Sequence, residues 1–243
     1  MIKVFTEGIR RRLRILWEKA IWPLIKMNYS ISKGFYIRYP EISKHEKIDL
    51  STVGYMDEYS EEILDYFSFK GLEMKIKSKF SYCNNDTIKV ESQKNDGENW
   101  LVFIFNPEAK NLMIEFDFSI NQIVHEFQLA FNYINYKGIK ERNRFLIIEN
   151  TKVLFDCIKK GSFFPILFEK SFDYIFSADI INHVKLIVDS GVYSLYVNGK
   201  CLLSITEKIK ICKGDSLALI LWEDSHNRPI SCEISNIQLS KIA

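Results

Sequence analysis

Residues 183–204 constrain the fold of this chain more than any other stretch. They read HVKLIVDSGVYSLYVNGKCLLS. Val184–Val188 is a β-branched and apolar run broken by Asp189-Ser190-Gly191, and Val192–Val197 is a second run broken by Asn198-Gly199. Cys201–Ser204 opens a third. Asn-Gly is the strongest short hairpin signal, because both central residues of a type I′ turn need positive φ. Three strands in a tight meander are therefore predicted. They belong to a sheet that turns back on itself without crossover helices.

The rest of the chain agrees with that beginning. Leu72, Met74 and Ile76 alternate with Glu73, Lys75 and Lys77, which predicts a half-exposed strand with a solvated basic face. Thr87–Ser92, Trp100–Phe105, Leu112–Ile120 and His125–Ile134 read as further strands. Tyr136–Arg144 reads as a polar connection. Phe145–Glu149, Val153–Ile158, Phe164–Phe168 and Tyr174–Phe176 follow as short strands, and Ser216–Trp222 and Cys232–Leu239 close the sheet. About a dozen strands without a strand–helix–strand rhythm predict an all-β, antiparallel two-sheet sandwich of jelly-roll type. The 18 Phe and 12 Tyr suit such a core.

The N-terminal region is different. Ile9, Leu13, Leu16, Trp17, Ala20, Ile21 and Leu24 fall on one helical stripe, with Arg10, Arg11, Arg14 and Lys19 largely off it. Residues 7–27 are thus a basic amphipathic helix, which Pro23 is expected to kink or end near residue 22. Its apolar stripe either docks on the protein or lies on an anionic membrane or a partner. For the second case Arg10, Arg11, Arg14, Trp17 and Trp22 are the contact residues. The expected organisation is residues 1–30 as this helix and 31–243 as the sandwich, with 31–85 a candidate extension wrapping it. Within that extension, Gly34–Pro40 is expected as a strand and Asp57–Tyr66 as a short acidic helix capped at Ser60. The carboxylates there match no EF-hand pattern.

Several function classes are excluded by composition. A net charge of +2 gives no field for nucleic acid, so none is expected as a partner. The five cysteines are odd in number and none has C-x-x-C spacing. No disulfide framework, metal or cofactor is expected, and reduced thiols in the cytoplasm, at most peripheral to a membrane, are the reading. Charges interrupt the N-terminal apolar residues, so no signal peptide is expected. His45, His125, His183 and His226 are dispersed, and no phosphate loop or nucleophile elbow is present.

From about residue 86 to 242 the chain resembles the concanavalin A-like lectin/glucanase superfamily, most of all its laminin G-like and glycoside-hydrolase-family-sixteen-type modules. The resemblance rests on Lys89–Ser92, Phe116–Ile120, Phe127–Phe131 and, above all, Asn182-His183-Val184-Lys185 with Tyr196-Val197-Asn198-Gly199-Lys200. Gly214–Leu219 and Cys232–Leu239 resemble the closing strands. Family-sixteen glucanases carry Glu-x-Asp-x-Glu or Glu-x-Asp-x-x-Glu on one strand. Retention needs two carboxyls about 5–5.5 Å apart. Here Glu115 and Asp117 are present, but the third position is Ser119 or Ile120. The acid/base is missing, which argues against an enzyme.

The resemblance implies a carbohydrate ligand, held by aromatic rings against sugar faces and by amide and acidic groups on the hydroxyls. The candidates are Tyr133, Asn135, Tyr136 and Arg144 from one connection, and Trp222, Asp224 and His226 from another. A non-catalytic carbohydrate-binding domain is the first expectation. A structural or interaction module using the N-terminal helix, and a divergent glycosidase using Glu115, are the alternatives.

Overall fold

The computed structural model describes the backbone at 16, 20, 23–32, 45–47, 65–69, 72–77, 80–83, 87–91, 98–105, 111–123, 125–136, 139–159, 162–163, 166–209, 212, 216–222 and 231–241. Side chains are described at 16, 20, 23–32, 111–123, 125–132, 142–158, 166–209, 212, 231–238 and 240. The strands are β1 (Tyr29–Ile31), β2 (His45–Lys47), β3 (Asp65–Phe69), β4 (Leu72–Lys77), β5 (Phe80–Cys83) and β6 (Thr87–Glu91). β7 (Glu98–Phe105), β8 (Leu112–Ile120), β9 (Glu126–Tyr136), β10 (Ile139–Ile148), β11 (Lys152–Lys159) and β12 (Ser162–Phe163) follow. The last are β13 (Phe168–Ser171), β14 (Asn182–Asp189), β15 (Val192–Val197), β16 (Lys200–Glu207), β17 (Ser216–Trp222) and β18 (Ser231–Lys241).

They form two antiparallel sheets. The first runs β1-β16-β15-β14-β8-β18-β6-β5, with β2 also on β18. The second runs β12-β11-β10-β9-β17-β7-β4-β3, with β13 on β11. Between β4 and β9, and again after β16, the chain changes sheet repeatedly. Sequence neighbours therefore face each other across the core.

Alternation decides which side chains enter that core. Along β8, Ile114, Phe116, Phe118 and Ile120 are buried while Glu115, Asp117 and Ser119 look outward. Phe127, Leu129 and Phe131 of β9 meet them from the second sheet, together with Phe145 of β10 and Phe155 of β11. Phe118 and Phe127 pack edge to face at 4.8 Å, and Phe131 lies 4.4 Å from Tyr193. Each fully buried ring contributes about 2–3 kcal/mol from area alone.

The meander forms as its sequence demands. Asp189 pairs with Val192 and Val197 with Lys200, so each turn holds two residues. All four turn residues have positive φ: 46° at Ser190, 83° at Gly191, 50° at Asn198 and 76° at Gly199. Both turns are type I′.

Three expectations are corrected. Tyr136–Arg144 is no connection: β10 starts at Ile139 and pairs along β9, with Ile139 opposite Tyr136. Its charged residues hid a strand whose Arg144 is neutralised by Asp156 across the sheet. Phe164–Phe168 is not one strand, since β12 ends at Phe163 and β13 starts at Phe168. Tyr174–Phe176 is no strand either, because its backbone is held by a side chain. Asn150 accepts from the amides of Ile175 and Phe176 and donates to the Phe176 carbonyl. Residues 23–28 are helical, while residues 21 and 22, where Pro23 is expected to kink or end the helix, lie outside the described residues. Gly34–Pro40 lies outside the described residues. So does most of Asp57–Tyr66, whose last two residues start β3.

Candidate functional site

Asp117 is the centre of an outward-facing polar row on the first sheet. Cross-strand register places Asp117 opposite His183 and Glu115 opposite Lys185, and directly opposed residues share a face. His183 Nδ1 lies 3.0 Å from Asp117 Oδ1, and Lys185 Nζ lies 2.6 Å from Glu115 Oε1. His183 Nε2 lies 3.6 Å from that same Glu115 oxygen. From the other flank Asn236 Nδ2 donates to Asp117 Oδ2 at 2.6 Å. Asn236 reaches it because β18 bulges between Ser235 and Gln238, with Asn236 at a φ of 51°.

An aromatic completes the row. Tyr196 is opposite Lys185 on β15, half-buried against Met113 and Ile187. Burial, followed by the neighbouring Cys201, raises its phenol pKa. The row thus presents acidic, amide, imidazole and phenol groups, and His183 keeps 47% of its side chain exposed.

Asn182 sets the position of His183. It is fully buried, donates to the carbonyls of Ser177 and Ile180, and accepts from the Ser177 amide and Asn198 Nδ2. The turn residue Asn198 in turn accepts from the His183 amide at 2.8 Å. The Asn182-His183 and Asn198-Gly199 pieces of the motif therefore lock each other.

A second polar row crosses the other sheet. Arg144 grips Asp156 through two bonds of 2.7 Å and donates to Gln128 at 2.8 Å, and Gln128 donates to Glu126. Arg144 and Asp156 are both more than nine-tenths buried. This arrangement commits Arg144 to other strands of its own sheet. Tyr133 pairs with Ser216 and Trp222 with Glu126, so the two are at opposite ends of β17. Six residues of strand separate them by about 20 Å. The backbone therefore sets Tyr133 and Trp222 apart. The side chains of Tyr133, Asn135, Tyr136 and Trp222 lie outside the described residues, as do Asp224 and His226.

The helix residues Arg10, Arg11, Arg14, Trp17 and Trp22 also lie outside them. Of the helical stripe, Leu16, Ala20 and Leu24 are described and all are exposed, while Ile25, off the stripe, is buried. Among the described residues no cluster of His, Cys, Asp and Glu is arranged to hold a metal ion, and no helix is long and apolar enough to cross a membrane.

One sequence signal for the exposed row is present but easily missed. Apolar residues in β18 step from Cys232 to Ile234 to Ile237, so a period of two slips by one at Asn236. The bulge is written in that slip.

This architecture defines the class: an antiparallel two-sheet β-sandwich. Among solved structures the chain is similar to a sialidase, with a TM-score of 0.52 and 13% identity over 84% of the chain. It spans 19% of that sialidase. It is also similar to a β-glucanase of Bacillus licheniformis, with a TM-score of 0.49 and 14% identity over 75% of the chain and 99% of the glucanase. A protein of unknown function with a galectin-like fold from Bacillus subtilis gives 0.48 and 13% over 71% of the chain and 90% of its own length. No protein-family model matches the chain, and no curated protein matches it in sequence. At these identities the likeness is one of fold.

Proposed function

We propose that the protein is a non-catalytic carbohydrate-binding β-sandwich whose ligand lies along the exposed row of Asp117, His183 and Asn236 beside Tyr196. The observation that carries this is the register of β18, β8, β14 and β15. It lines up an acid, an amide and an imidazole with a half-exposed phenol on one accessible face. Such groups match sugar hydroxyls, and an aromatic ring matches a sugar's apolar face. The sequence resemblance to concanavalin A-like modules makes a sugar the first ligand class to test. Binding without hydrolysis follows from the missing third carboxylate at Ser119 or Ile120. A glycan array followed by calorimetry tests the reading. Binding of at least one oligosaccharide is expected, lost more than tenfold in both His183→Ala and Tyr196→Ala, with no release of reducing sugar. An array blank for every glycan overturns it.

A second reading is favoured by one observation. Leu16, Leu24 and Met27 are 62%, 65% and 72% exposed on the helical N-terminal segment. With Arg10, Arg11 and Arg14 close by in sequence, that outward apolar side suits an anionic lipid surface. Co-sedimentation with vesicles of anionic phospholipid should fall at least fivefold when residues 1–27 are removed. Equal sedimentation of both chains rejects this reading.

A further inference from the structure

Cys157 and Cys212 are both fully buried, and their Sγ atoms are 3.4 Å apart although the residues are 55 positions distant. Cys157 is on the core face of β11, among Phe155 and Tyr29 of the main apolar cluster. Cys212 lies between β16 and β17, where the chain passes from the first sheet to the second. Its Sγ also lies 3.5 Å from the Ile158 carbonyl, so it is held against β11. No spacing rule links these two cysteines; the fold alone brings them together.

We propose that Cys157 and Cys212 form a disulfide when the protein folds in the presence of a low-molecular-weight disulfide oxidant. Sulfur–sulfur bonding needs the two atoms about 1.4 Å closer, at about 2.05 Å. The thiolate of one cysteine attacks oxidised glutathione and releases one glutathione thiolate, leaving a mixed disulfide. The second cysteine attacks that bond at the first sulfur and releases the other glutathione. Two protein thiols are oxidised, one glutathione disulfide is reduced to two thiols, and the two protons end on them. Both sulfurs are sealed in the core, so exchange occurs before the sandwich closes, and the finished bond resists reductant. The bond ties the second sheet to the segment that crosses from the first.

The test uses the full chain, refolded with oxidised glutathione and, in parallel, with reductant. After unfolding, alkylation and digestion without reductant, the oxidised sample should yield one joined peptide pair containing Cys157 and Cys212. Its melting temperature should exceed that of the reduced sample by about 5–15 °C, as expected when a long loop is closed. The double variant Cys157→Ala, Cys212→Ala should lose that oxidant-dependent rise. Recovery of both cysteines alkylated after oxidative refolding, or joined to other cysteines, overturns the proposal.

Discussion

Glu207 shows how single residues set this molecule's chemistry. Its buried carboxylate accepts from Tyr29 at 2.9 Å and from Tyr193, and Tyr193 accepts in turn from Asn132 at 3.0 Å. Tyr29 also lies 2.9 Å from the Asn143 side-chain oxygen, while the Asn143 amide nitrogen has no partner. One phenol proton serves one acceptor, so turning the Asn143 amide lets it donate to Tyr29 and frees that proton for Glu207. Burial first, then neighbouring Cys157 and Glu207 for Tyr29 and Glu207 for Tyr193, raise both phenol pKa values above their ordinary 10.0. The unfolded chain therefore releases these protons before the native state does. Their contribution is whole below about pH 10 and is lost as the pH climbs above it. Denaturant titrations should show stability falling by up to about 2.7 kcal/mol per pH unit there, and Tyr193→Phe should halve that slope. None of this network was legible in the sequence. Glu207 closes an ordinary-looking strand, and only the packing of β1 on β16 brings Tyr29 to it.

Elements follow their local sequence most closely at the two hairpin turns, and they differ in a testable way. A Cβ at Gly191 meets the Glu207 carbonyl oxygen at 2.6 Å, whereas one at Gly199 meets nothing within 4 Å. Gly199→Ala should cost only the left-handed backbone penalty, about 1–2 kcal/mol. Gly191→Ala adds a backbone collision and should cost at least about 1 kcal/mol more, from the same strain plus crowding. Equal unfolding midpoints for the two variants would refute the distinction. The turns, β8 and the meander were legible because period and turn chemistry agree. The first part of β10, up to Arg144, was not, because charge masked its alternation. Arg144 sits in it as half of a buried ion pair. Removing one partner of such a pair strands the other, so Arg144→Ala should lose about 3–5 kcal/mol in equilibrium unfolding. Arg144→Lys, which cannot make the same two parallel bonds, should recover only part of it.

At the scale of the whole molecule, register between strands distant in sequence creates the candidate site. Asp117, His183 and Asn236 come from three strands, and in the sequence His183 stands out only as part of the Asn182-His183-Val184-Lys185 motif and Asn236 not at all. Single-strand patterns name which residues face outward, but not which strands become neighbours. The aromatic and charged residues of the connections looked more promising because connections commonly carry function. The backbone instead sets Tyr133 and Trp222 at opposite ends of β17. The core itself should behave as alternation predicts: Phe116→Ala should lower stability by about 3–5 kcal/mol, read from denaturant midpoints. Amide chemical-shift mapping during titration with an array-selected oligosaccharide tests the proposed sugar-binding face of the first sheet most directly. The largest shifts should fall on Glu115, Asp117, His183, Lys185, Tyr196 and Asn236. Shifts confined to β9, β10 and β11, or none at saturating ligand, would contradict it.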